Sequence, residues 1–254
     1  MLAQTRYCGT TSVLQDQDFP VSKDIVYVTG DTHGRFGRIR RFCHSNKTTL
    51  QNTLVILGDA GINYFDDDQD VCLKIMISRL PITLLCIHGN HEMRPCAALG
   101  YAQREYHGGK VWVQPEYPNI LFAIDGEVYW FNQKSCISMG GAYSVDKDYR
   151  LANGWRWFPD EQPDEKIKSR VEAALAARNW KIDYVFSHTC PLEFEPTEEF
   201  LPTIDQSTVD KSTEKWLGSI EEKLDYRFWY CGHFHTEKTI EKIRFMYNDY
   251  SLIT

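Results

Sequence analysis

The chain has 254 residues, 43% hydrophobic and 25% charged, an ordinary balance for a folded globule that excludes a disordered chain. Against 35 acidic side chains stand 28 basic ones, and the formal charge of -7 gives no electrostatic footprint for general nucleic-acid binding. Eight cysteines without a C-x-x-C pair, no basic-then-apolar leader and no apolar run near the ~20 residues that span a bilayer point to reduced thiols, no membrane and a cytoplasmic protein.

Residues 1–24 are polar and mixed and read as an N-terminal arm or edge strand. The apolar run Val26, Tyr27, Val28, Thr29 follows, stopping at Gly30, Asp31, Thr32 and His33. Phe36, Ile39, Phe42 and Cys43 then share one helical face, with Arg38, Arg40 and Arg41 on the solvated remainder. A strand over residues 54–57 ends at Gly58 and Asp59. Acidic residues Asp66, Asp67, Asp68 and Asp70 open a helix that buries Val71, Leu73, Ile75, Met76 and Leu80 before Pro81 stops it.

Residues 83–87 form a further strand, running into His88, Gly89, Asn90, His91 and Glu92, and residues 95–118 read as loop. Asp125-Gly126 between two apolar runs predicts a hairpin over 119–131, because that dipeptide accommodates the positive φ angles of a type I′ turn. After a strand at 135–139, Gly140 and Gly141 mark a bend. Pro163, Asp164 and Glu165 open a helix continuing through Ile167, Val171, Ala174 and Leu175. Two more apolar runs end at His188 and at His233-Phe234-His235, separated by a proline-rich loop or lid at 191–209 and a helix at 212–224. Side chains able to hold metal spread from residue 31 to residue 235, which favours a single domain over 1–254. His44, His88 and His107 read as packed core histidines.

Alternate residues of an extended chain point the same way, so Asp31 and His33 at one strand end could reach one cation together. Asp31, His33, Asp59, Asn90, His188, His233 and His235 offer oxygen and imidazole nitrogen and no thiolate, a set suited to Mn, Fe, Zn or Ni rather than to a structural thiolate zinc site. The order DxH, GD, GNHE, H, GHxH is similar to the signature of the calcineurin-like metallophosphoesterases. That resemblance implies a four-layer αββα sandwich, two mixed β-sheets flanked by helices with a dinuclear metal site at the loop edge. It further implies one divalent ion on Asp31, His33, Asp59 and His235, and a second on Asp59, Asn90, His188 and His233.

The activity implied is phosphate-ester hydrolysis with a metal-bridging hydroxide as nucleophile. His91, matching the family's GNH[DE] histidine, would serve the leaving group as catalytic acid or donor. Glu92 is expected to orient a ligand or His91 rather than bind metal, and Arg35 and Arg94 to touch the substrate phosphate. The partner would be a phosphorylated small molecule, a nucleotide or a phosphoprotein. Phosphomonoesterase activity is the first expectation, a phosphodiesterase acting on a nucleotide or nucleic-acid end the second, and a catalytically silent protein-binding scaffold the third. The Ser/Thr protein-phosphatase branch reads GDxVDRG around the bridging aspartate, whereas Ile62 and Asn63 stand here where it has its carboxylate and arginine.

Overall fold

The computed structural model describes residues 25–254, so the arm or edge strand expected over 1–24 lies outside it. Strand β1 (Val26–Thr29) is followed by α1 (Gly37–Asn46), β2 (Thr53–Ile56), α2 (Asp68–Ile77) and β3 (Thr83–Cys86). Strands β4 (Ala102–Tyr106), β5 (Gly109–Val113), β6 (Ile120–Ala123), β7 (Val128–Phe131) and β8 (Lys134–Met139) come next, then helices α3 (Lys147–Ala152) and α4 (Glu165–Ala176). The chain finishes with β9 (Lys181–Ser187), α5 (Ser212–Glu221), β10 (Asp225–Cys231), β11 (Lys238–Ile240), β12 (Ile243–Phe245) and β13 (Ser251–Leu252).

These strands form two mixed sheets, ordered β13-β1-β2-β3-β6-β5-β4 and β11-β12-β10-β9-β8-β7. In the first, β1, β2, β3 and β6 run parallel. In the second, β8, β9, β10 and β12 do. Parallel strands carry helices on their outer faces and so are buried on both sides, which explains why β2 and β3 are buried throughout and, after their first threonine, apolar rather than alternating. The period of two still sorts their side chains. Val55, Leu57, Leu85 and Ile87 enter the layer between the sheets with Tyr184, Phe186 and Tyr230 of the second sheet. Leu54, Ile56, Leu84 and Cys86 turn outward onto Ile39 and Cys43 of α1 and Ile77 of α2. On the opposite outer face, Val185 and Trp229 meet Val171 and Leu175 of α4 and Trp216, Leu217 and Ile220 of α5. The result is the helix–sheet–sheet–helix layering that the resemblance implies.

Several local expectations are corrected. No hairpin joins β6 to β7: the turn exists, with Glu127 N–H donating to Ile124 O at 3.0 Å, but β6 pairs with β3 and β5 while β7 crosses to the other sheet and pairs with β8. A hairpin does occur within the segment read as loop, between β4 and β5. Helix α2 buries Asp70, Lys74 and Ile77 and leaves Val71, Ile75 and Met76 exposed. The roll has a polar cause, because the Asp70 carboxylate accepts the backbone N–H groups of Tyr64, Phe65 and Asp66 at 3.2, 3.0 and 2.6 Å. Lys74, one turn later on the same face, lies over the Tyr101 ring. His44 is exposed rather than packed, His107 is half-buried, and His88 is buried. Among the described residues, no helix is long and apolar enough to cross a membrane.

Candidate metal centre

Because β1, β2 and β3 run parallel in one sheet and β9 and β10 in the other, the turns after their carboxyl ends collect along one edge, where open α/β sheets bind ligands. Asp31 and His33 follow β1, Asp59 follows β2, Asn90 follows β3, His188 follows β9, and His233 and His235 follow β10. Four of these seven residues stand in the left-handed region: His33 (φ 45°), Asp59 (45°), His233 (66°) and His235 (52°). Non-glycine residues rarely adopt it, and each such strain costs ~1–3 kcal/mol, so the surrounding packing must over-determine these turns. Close approach is the other requirement. A Cβ at Gly89 would lie 2.0 Å from Asp59 Oδ1, and one at Gly58 would lie 2.1 Å from His188 Nδ1.

The donor atoms converge. His33 Nε2 lies 2.9 Å from His235 Nε2, 3.7 Å from Asp31 Oδ2 and 3.9 Å from Asp59 Oδ2. His188 Nε2 is 3.7 Å from Asp59 Oδ1 and 2.7 Å from Asn90 Oδ1. In the groups Asp31, His33, His235 and Asp31, Asp59, His188, the donor atoms all fall within 4.8 Å of one another, so each group can hold a metal ion. His233 joins them through its backbone N–H, which donates to Asp31 Oδ1 at 3.0 Å, and its ring centroid lies 5.0 Å from that of His188.

Two observations test whether a cation fits. Asp31 Oδ2 is buried and makes no hydrogen bond among the described residues, with His235 Nε2 at 3.3 Å and His33 Nε2 at 3.7 Å. His188 Nδ1 sits 2.7 Å from Leu57 O, and because a carbonyl only accepts, the ring proton belongs on Nδ1. With Nδ1 so engaged, Nε2 faces Asn90 Oδ1, and a cation between the two would take a lone pair from each, the back-side carbonyl fixing the tautomer as it does for metal-bound histidines. The residues present fit divalent ions.

Charge follows the same logic. Burial alone would raise the Asp59 carboxyl, but the neighbouring His188, His91 and His33 hold it well below the ordinary carboxylate range. Asp31 is likewise held down, against its burial, by His235 and His188. Burial drives His233 down to about 3, leaving it neutral with a lone pair to give.

His91 donates its backbone N–H to Asp59 Oδ1 at 2.9 Å, and its Nε2 lies 3.9 Å from Asp59 Oδ2. Glu92 is buried and accepts the Gly89 N–H at 3.0 Å, so it fixes the backbone leading to Asn90 and touches neither the His91 ring nor a ligand side chain by hydrogen bond. Burial and the nearby Asp59 push its carboxyl well up.

The arginine expectations change most. Arg94 is not a free fork for phosphate: it pairs with buried Asp125 at 2.7 Å and donates to Asp160 O at 2.9 Å. Arg35 is exposed in the turn ahead of α1. Arg38, read as part of a solvated face, instead donates to the carbonyls of Gly30, Asp31 and Tyr247 at 3.0, 3.0 and 2.9 Å, clamping the first ligand turn from behind. Sequence reading missed Arg150 on α3. Its Nη2 lies 3.4 Å from His91 Nε2, while Asp146 holds Nε at 2.8 Å and the Tyr64 hydroxyl holds Nη1 at 3.3 Å. The i,i+4 spacing of Asp146 and Arg150 was the available signal. It lay in a helix that buries none of its residues, without an apolar period to announce it.

Two clefts meet at His91. One, of about 440 Å³, reaches from Asn90, His233 and His235 to Phe200, Leu201 and Ile204 of the segment expected as a lid. The other, of about 480 Å³, is lined by His33, Tyr64, Arg150 and Trp155.

Comparison with known proteins agrees with this layout. The chain is similar in structure to the TT1561 protein of Thermus thermophilus, with a TM-score of 0.46, 9% identity and coverage of 84% of this chain and 82% of that one. A second solved structure matches at a TM-score of 0.50 and 13% identity, over 87% of this chain and 89% of its own. The AQ665 protein of unknown function from Aquifex aeolicus matches at 0.31 and 15%, over 66% and 81%. At these identities the likeness concerns the fold alone. No curated protein matches significantly. A family model for calcineurin-like phosphoesterases matches residues 25–237, a span that contains all seven converging side chains, and the chain belongs to that family.

Proposed function

We propose that this metal-dependent phosphoester hydrolase is a phosphomonoesterase working with two divalent ions, Mn being the first candidate. Asp31, His33, Asp59 and His235 would hold one ion, and Asp59, Asn90, His188 and His233 the other. The observation that carries the reading is the convergence of these donors around Asp59, with a buried Asp31 oxygen that makes no hydrogen bond among the described residues. Asp59, with Oδ2 toward His33 and Oδ1 toward His188, would lie between the two ions and offset the repulsion between them. Bound ions supply Lewis acidity toward the phosphoryl oxygens and make water nucleophilic at neutral pH.

The protein supplies the rest. Water forms the new P–O bond, the ester P–O bond breaks, and the leaving oxygen takes up a proton. His91, held beside Asp59 and lining both clefts, donates to that oxygen. Arg150 takes the place of the arginine that Asn63 does not provide: Asp146 and Tyr64 aim its guanidinium past His91, where it would grip phosphoryl oxygens. Free buried thiols at Cys43, Cys86, Cys136, Cys190 and Cys231 support a reducing compartment, the cytoplasm.

A second reading, a phosphodiesterase, is favoured by one observation: clefts open on both sides of His91 and could seat an ester group on either side of phosphorus. Hydrolysis of p-nitrophenyl phosphate and of its bis ester, with Mn, Ni or Zn added, tests both readings. Faster turnover of the monoester is the expected result, faster turnover of the diester selects the second reading, and no metal-stimulated hydrolysis of either overturns both.

A further inference from the structure

Where the 440 Å³ cleft leaves the metal centre, its walls change character. Phe200, Leu201, Ile204 and Val209 line it from one segment, and Tyr143 and Val145 from the loop before α3. Mostly apolar walls with a few polar groups are the composition of a small-molecule site rather than of a protein-binding face. The charged groups beyond the ligands are nearly all acidic. Lys211 is satisfied by Glu195 at 2.6 Å, Glu199 accepts from Thr236 Oγ1 at 3.2 Å, and Asp146 pairs with Arg150.

Two carboxylates of this cleft keep a buried oxygen without a hydrogen bond among the described residues, Asp146 Oδ1 and Glu214 Oε2, and of the two Asp146 has the Arg150 ion pair. Glu214 lines the cleft from the first turn of α5, is 5% exposed, and has no ion pair among the described residues. A carboxylate in a first helical turn complements the dipole, but that does not account for burying an open acceptor, which costs free energy until a donor arrives. Burial pushes this carboxyl up to about 7, Glu195 adding to the rise while Thr189 and Lys211 oppose it. A positive donor seated against this carboxylate from the cleft would give the buried charge a partner and lower the raised pKa.

We propose that this cleft receives the leaving group, and that the substrate is a small phosphate ester whose alcohol is a compact apolar or aromatic group ending in an amine, the amine meeting Glu214. The phosphate half of that ligand rests on the phosphoesterase reading; the amine half rests on the cleft alone.

Tyramine and 4-ethylphenol, near-isosteric and differing in the ammonium group, separate the two halves. In ligand-observed NMR on the metal-free protein, tyramine should bind at least tenfold more tightly. Glu214→Gln should cut that ratio below threefold. Ile204→Trp, at a half-buried loop position that does not challenge the core, should weaken both ligands by filling the cleft, so the outcome does not depend on the Glu214 variant folding. The Mn-loaded protein should show the same preference in kcat/KM for the two phosphate esters. Equal binding by the unmodified protein, or a ratio that survives Glu214→Gln, would overturn the proposal. Preferential tyramine binding without hydrolysis of either ester would remove the phosphoesterase reading while supporting the amine site. Hydrolysis of both esters without preference would do the reverse.

Discussion

The two ends of the 440 Å³ cleft are built differently. At the metal end, each candidate ligand lies within a few residues of a β-strand end, four of the seven stand at positive φ, and glycines at 58 and 89 let neighbouring ligands close in. At the other end, residues 191–209 supply Phe200, Leu201 and Ile204 from a path with only short 3₁₀ turns at Leu192–Phe194, Thr197–Glu199 and Gln206–Thr208, joined to neither sheet. Metal chemistry tolerates little displacement, so its ligands sit on strand ends locked by two packed cores. Recognition of a leaving group tolerates more, and loops carry it on that scaffold. Changes at the metal end should therefore abolish chemistry, and changes at the far end should redirect it.

The largest effect is expected at Asp59. Asp59→Asn removes the charge that both candidate ions share and should lower metal-stimulated kcat/KM by ~10³-fold or more, read on p-nitrophenyl phosphate. A smaller loss would shift the chemistry away from this carboxylate. Next come two arginines, one beside His91 and one lining neither cleft. Arg150→Ala should cost roughly 10²-fold in kcat/KM with an unchanged unfolding midpoint, because its guanidinium stands beside His91. Arg94→Ala should do the opposite, destabilising the fold by about 3 kcal/mol in urea melts because it strands the buried Asp125.

An effect no larger than the last belongs to Glu214 and shows as pH dependence. Its folded pKa of about 7 lies above the ordinary 4.5, so between those values the folded state keeps a proton that the unfolded chain releases. The stability contribution is thus fully present below about pH 4.5 and is lost as pH rises through about 7. Relative to Glu214→Gln, which cannot titrate, the metal-free protein should lose up to about 3 kcal/mol between pH 4.5 and 7.5 in urea unfolding. Parallel pH profiles for the two proteins would show that the carboxylate is already satisfied.

What the sequence made legible divides along the same line. The ligand turns could be read because each signal is local: an apolar run of about four residues, then a metal-competent side chain within the next few positions, with a glycine beside it in every turn but that of His188. Helix α1 announced itself by its period and α4 by its period and cap, with Asp164 accepting the Ile167 N–H at 2.8 Å. Pairing across distance left no such mark. Asp125-Gly126 correctly signalled a turn, yet nothing nearby states that the strands on either side join different sheets. The arginines failed for the same reason. Arg38 meets Tyr247 O and Arg94 meets Asp125 only because the fold brings together residues distant along the chain, and the face of α2 was decided by three backbone N–H groups seeking the Asp70 carboxylate.

The central claim is that one carboxylate, Asp59, joins two metal sites. Anomalous diffraction at the Mn edge from crystals grown with Mn, on the unmodified protein and on Asp59→Asn, tests it most directly. Two peaks flanking Asp59 in the first and fewer than two in the second are the predicted result; peaks away from Asp59, or two unchanged peaks in the variant, would contradict it.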